Sequence, residues 1–145
     1  MKLLFFLLLL TAGYSSKAQW QGKRSMEGNW SGVYITSDSS YWENIKISIE
    51  QNPDKSYSAR SYTKAKDTIV VCRMECKLIG SDSLVLTEIE IIKPAGLKPG
   101  TCFQVMELKY RGGGVHQPKE LVGKWYCNHK KSEGNGFIKL TKSYR

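Results

Sequence analysis

The chain has 145 residues, with 22 lysines and arginines against 13 aspartates and glutamates and a formal net charge of +9. That length suits one domain. The basic residues stand singly, at Lys46, Lys64, Lys77, Lys93, Lys109 and Lys139, which reads as a solvated surface; with no recognisable reading motif, nucleic acid is not expected as a partner.

Lys2 precedes an unbroken apolar run, Leu3 to Leu10, followed by small residues that end in Ser16-Lys17-Ala18. This pattern predicts a secretory signal peptide over residues 1–18, cleavage before Gln19, and a single β-barrel domain over 19–145. Loss of Lys2 and Lys17 would lower the net charge from +9 to +7. The apolar run is too short for a stable bilayer anchor and no later segment reaches the necessary length, so no membrane span is expected. No cysteine immediately follows the run, which disfavours a lipid anchor. The expected location is secreted or periplasmic.

One pattern occurs twice: Met26-Glu27-Gly28-Asn29-Trp30 and Leu121-Val122-Gly123-Lys124-Trp125 each give an apolar residue, a spacer and Gly-x-Trp. Each leads into alternating residues, as in a strand with a large aromatic on one face and a glycine two places earlier for close packing. From Asn29 onward, short alternating runs are separated by turn residues, with no helical period. They predict strands at Asn29–Thr36, Trp42–Gln51, Ser56–Thr63, Thr68–Ile79, Leu84–Ile92, Thr101–Arg111, Leu121–Lys130 and Gly136–Lys142. The connections carry turn chemistry, as in Ser37-Asp38-Ser39-Ser40, Asn52-Pro53-Asp54, Gly80-Ser81-Asp82, Gly112-Gly113-Gly114 and Glu133-Gly134-Asn135. Lys93 to Gly100, with Pro94 and Pro99, reads as a longer loop. The fold class is therefore all-β, an antiparallel up-and-down barrel of about eight strands, with an open sandwich as the rival.

Face patterns narrow the interior. Ile45, Ile47 and Ile49 alternate with Lys46, Ser48 and Glu50, so one side is buried and one is wet. Val70, Cys72, Met74, Cys76 and Leu78 share a face, and Cys102, Met106, Leu108 and Tyr110 share another. A regular hairpin of the sixth and seventh strands pairs Cys102 with Cys127, Gln104 with Trp125, Met106 with Gly123 and Leu108 with Leu121. It puts two cysteines face to face, and a Cys102–Cys127 disulfide is expected in an exported chain. Cys72 and Cys76 would stand roughly 13 Å apart on a straight strand, too far to bridge; a bulge, two free thiols or other partners are the alternatives. Their spacing with His116 and His129 matches no standard zinc motif, so no metal is expected.

Glu88 and Glu90 share a face with Leu84 and Leu86. If the leucines point inward, Glu88 is a buried carboxylate that needs a partner; if Val85, Thr87 and Ile89 do, both glutamates are solvated. No nucleophile elbow, phosphate loop or calcium loop occurs, so neither an enzyme nor a cofactor is expected. Trp30, Tyr34 and Trp125 read either as barrel-closing packing or as a ligand wall. Asn29-Trp30-Ser31 matches a glycosylation acceptor, relevant only in a eukaryotic secretory pathway.

The paired Gly-x-Trp hairpins resemble those of the calycin barrels, the lipocalins and avidins, with Gly123-Lys124-Trp125-Tyr126 the closer copy. The chain over 19–145 also resembles small exported bacterial β-barrel proteins of unassigned function. That likeness is carried by Trp30-Ser31-Gly32-Val33-Tyr34, by Leu84 to Glu88, by Cys102 after a proline-containing loop, by Leu121 to Trp125, and by Gly136-Phe137-Ile138-Lys139-Leu140. It implies export, a lipocalin-like barrel, and Leu84, Leu86 and Glu88 turned inward.

Two functional expectations follow. The first is an exported, non-enzymatic barrel that binds a small apolar or amphipathic ligand through Trp30, Tyr34, Met106 and Trp125, with Glu88 as a polar anchor. The second is a filled barrel that engages an anionic or protein partner at the cell surface, through loops such as Lys93 to Gly100 and Gly112 to Pro118.

Overall fold

A computed structural model describes residues 25–65, 67–94, 102–114, 117–128 and 134–144. The expected signal peptide, His116, His129 and most of the Lys93 to Gly100 loop lie outside them. Eight strands follow one another: β1 (Gly28–Thr36), β2 (Trp42–Gln51), β3 (Tyr57–Ala65), β4 (Thr68–Ile79), β5 (Ser83–Lys93), β6 (Gln104–Arg111), β7 (Glu120–Cys127) and β8 (Asn135–Ser143). Each pairs antiparallel with the next, and β1 pairs with β8, from Asn29 opposite Ser143 to Thr36 opposite Gly136. The result is a closed up-and-down barrel, in which every strand has two partners and no ladder edge is left open. The sandwich alternative is thereby replaced.

Alternation does the sorting. Ile45, Ile47 and Ile49 on β2 are each 1 % exposed, while Lys46 and Glu50 between and beside them face water. Leu84, Leu86, Met106, Leu108, Leu121, Ile138 and Leu140 complete an apolar core. At the lower end, where β1 begins, Met26 and Trp30 are buried. The Trp30 indole Nε1 donates to the Met26 carbonyl at 2.9 Å and its ring meets Tyr110 edge-on, with centroids 6.3 Å apart. The glycines of the doubled motif serve close approach in two ways. Gly28 has φ +127°, a region that disfavours other residues, with Lys142 packed over it; a Cβ on Gly123 would run into the Glu107 carbonyl of β6.

The β6–β7 register differs from the expectation by two residues. Gln104 faces Cys127, Met106 faces Trp125, Leu108 faces Gly123 and Tyr110 faces Leu121, so Met106 stands beside Trp125 rather than beside the glycine. The faces survive because a shift of two preserves the side each residue points to. The physical reason lies at the start of β6. Among the described residues the ladder begins at Gln104, and Cys102 stands outside it. The Asn128 N–H donates to the Phe103 carbonyl at 2.8 Å, and Cys102 reaches diagonally to Cys127. The disulfide forms there, with Cα atoms 5.1 Å apart.

Cys72 and Cys76 are free thiols. The β4–β5 pairing does bulge, but the extra residues are on β5: partners pass from Glu88 to Glu90 and from Ile91 to Lys93, skipping Ile89 and Ile92. Below the first bulge Leu84, Leu86 and Glu88 face inward, as the likeness to exported barrels implied, and above it Glu90 turns outward to Arg73 at 2.9 Å.

Candidate functional site

The interior changes character toward the upper end, where β1 finishes. Side chains in the middle and lower barrel retain almost no accessible surface, with Leu86, Met106, Leu121 and Leu140 at 0 % and Trp30 at 1 %. A side chain bordering a void large enough for water would keep some, so these groups pack only against one another. Higher up, Glu43, Thr63 and Gln104 are half-buried, and polar groups replace the aliphatic ones.

Glu88 is the deepest of these, at 6 % exposed. Its Oε1 accepts from the Ser61 hydroxyl of β3 at 2.6 Å, and its Oε2 accepts from the Gln104 backbone N–H at 3.0 Å. Burial raises its carboxyl above the ordinary range, against the lowering pull of these two donors and of the neighbouring Cys72 thiol. Cys72 is pushed up to about 12 by its own burial and by the Glu88 charge, and Cys76 to about 11 by burial. Both are therefore neutral thiols at physiological pH.

A second polar group sits on β1 and β2. The Tyr34 hydroxyl donates to Glu43 Oε2, and Tyr41 donates to the same oxygen at 2.8 Å. Burial first, and the Glu43 carboxylate second, hold Tyr34 well above the usual phenol range. Its ring packs at an angle on Trp125, with centroids 5.2 Å apart, and the Trp125 indole donates to the Ile35 carbonyl at 3.1 Å. Among the described residues neither Glu43 nor Glu88 has a basic partner.

Gln104 links the two groups. Its backbone N–H is bound by Glu88 while its side chain faces the Tyr34 hydroxyl. The side-chain Oε1 is buried and has no hydrogen-bond partner among the described residues. A buried acceptor left unpaired costs about 1–3 kcal/mol, so such a group marks a place where a donor belongs.

All five residues expected to touch a ligand point into the barrel, but at two levels. Tyr34 and Trp125 pack together at the upper end and are joined to Glu88 through Gln104, whereas Trp30 and Met106 are sealed in the core. Glu43, Ser61 and Gln104 were missing from the expected set. Period-two spacing carries the signal for all three: Glu43 continues the Ile45–Ile47–Ile49 face, Ser61 continues that of Ala59, and Gln104 precedes Met106, Leu108 and Tyr110. Among the described residues no three His, Cys, Asp or Glu side chains converge as a metal site. Comparison with known protein families, with curated proteins and with solved structures returned no match.

Proposed function

We propose that this is an exported, non-enzymatic barrel that holds a small amphipathic molecule at its upper end. The observation that carries the reading is the Gln104 Oε1, without a partner among the described residues and placed near Tyr34 and Glu88 where the packed core gives way to half-buried polar groups. The ligand's head donates a hydrogen bond to that oxygen, and its apolar part lies on the Tyr34 and Trp125 rings. A neutral or cationic head fits, because Glu43 and Glu88 bring acidic groups and no basic partner. A bound donor here satisfies an acceptor that is otherwise a standing cost, and because that oxygen and the two rings are buried, entry requires side chains at the upper end to part.

Support for a binding role over catalysis comes from the protonation states. The buried Cys72 thiol, pushed up to about 12, is a poor nucleophile at neutral pH. Export is supported by the Leu3–Leu10 run and by the Cys102–Cys127 bond, which suits an oxidising compartment. No helix among the described residues is long and apolar enough to cross a membrane. Charged side chains at mid-strand on the outer wall, such as Lys46, Arg60 and Lys139, favour a barrel surrounded by water.

Native mass spectrometry of the oxidised protein, purified from an exporting host, is the direct test. The expected result is a reproducible added mass that Gln104→Leu removes, with affinity falling on the order of tenfold and stability unchanged or higher. A clean apo mass, with no change in tryptophan emission across long-chain amines and alcohols, would overturn the assignment.

A further inference from the structure

The outer wall carries a second feature, independent of the upper end. The register sets Trp42, Ile35, Phe137 and Lys124 side by side across β2, β1, β8 and β7, and one ladder step lower it sets Val33, Lys139 and Val122 in line. Trp42 is 64 % exposed, Phe137 60 % and Ile35 36 %. These apolar groups are not a smooth continuation of the barrel surface. Ile35 and Phe137, with Val33 and Val122, line a depression of about 360 Å³ that also takes in Gly123 and Ile138, and Trp42 stands beside it.

The charged side chains that line the depression are basic, with Glu120 and Glu107 across the ladder from Arg111 and Lys124 just outside it. Arg111, Lys124 and Lys139 line it and no acidic side chain does. Lys139 is engaged by Glu120 at 2.8 Å, whereas the Arg111 and Lys124 side chains have no partner among the described residues. Glu107, the acid opposite Lys124 on β6, accepts from the Tyr126 hydroxyl at 2.9 Å. From Arg111 on β6 to Ile35 on β1 the groove crosses three strand spacings and two ladder steps. That diagonal is roughly 20 Å, the reach of about six extended residues.

We infer that this face docks an acidic segment of a partner protein, in extended form, whose apolar side chains enter the Val33–Val122–Phe137 floor while its carboxylates meet Lys124 and Arg111. The closed ladder offers no edge for strand addition, so recognition is by side chains. Two copies of this chain would bring like charges together at the same face, which disfavours self-association through it. A bilayer is the poorer fit because a flat lipid surface would leave the depression lined by Val33, Ile35 and Val122 unfilled.

The test uses the whole oxidised protein and fluorescence anisotropy with a labelled short peptide alternating glutamate and phenylalanine, beside glutamate–serine and lysine–phenylalanine controls. Saturable binding of the first peptide alone is expected, weakened by salt. Phe137→Ser and Lys124→Glu should each weaken it on the order of tenfold, with circular dichroism and melting temperature retained because both side chains are exposed. Absence of binding, equal binding of the lysine–phenylalanine control, or binding unchanged in both variants would overturn the inference. Capture of anionic phospholipid vesicles through Phe137 in place of the peptide would overturn it too, by giving the face to a membrane.

Discussion

Glu88 is held by two donors from strands remote from its own in sequence, Ser61 on β3 and the N–H of Gln104 at the head of β6. Its carboxyl is raised by burial, and the direction sets the pH dependence. A carboxyl whose folded pKa lies above its unfolded value contributes fully below the ordinary carboxylate range, and that contribution is lost as pH rises through the raised value. Urea denaturation across that window should show the wild-type protein losing stability with rising pH, by a slope that Glu88→Gln flattens. Equal slopes in the two proteins would mean that Glu88 does not titrate as the geometry implies. Asp38 is the opposite case. Its exposed carboxylate accepts from Thr36 and Ser40 in the β1–β2 turn and is held down at about 2, so that turn keeps its contacts until the pH falls well below the ordinary range.

At the scale of the elements, the Cys102–Cys127 bond spans 25 residues and ties the approach to β6 to the end of β7. Loop-closure entropy puts its contribution at about 3.5 kcal/mol, so the Cys102→Ser, Cys127→Ser double variant should unfold at correspondingly lower urea with its barrel circular dichroism retained. The limits of β2 and β4 were legible from the sequence because alternation and turn residues both stop at the same places. The β6–β7 register was not. A regular hairpin would set the two cysteines directly opposite, whereas Cys102 lies before the ladder and reaches across it. The β5 bulges were equally hidden, since Ile89 and Ile92 look like any other β-branched residues until their partners on β4 are known.

For the whole molecule, closure depends on β8, which joins β7 to β1 across most of the chain. A chain ending at Cys127 would expose the edges of both neighbours, and size-exclusion chromatography should show it assembling into oligomers or aggregates rather than eluting as a monomer. The barrel itself was readable from eight alternating runs and two Gly-x-Trp motifs. The candidate site was readable only in part: Tyr34, Trp125 and Glu88 face inward, as the alternation implies, but the Gln104 acceptor, without a partner among the described residues, is a fact of tertiary packing. That acceptor lies directly across the ladder from Cys127, two residues after Cys102. A reduced chain would keep its sheet yet slacken the segment that presents the acceptor. On the proposed reading, readiness to bind would then follow the chemistry of the surroundings, with the reduced protein expected to hold the ligand more weakly than the oxidised one.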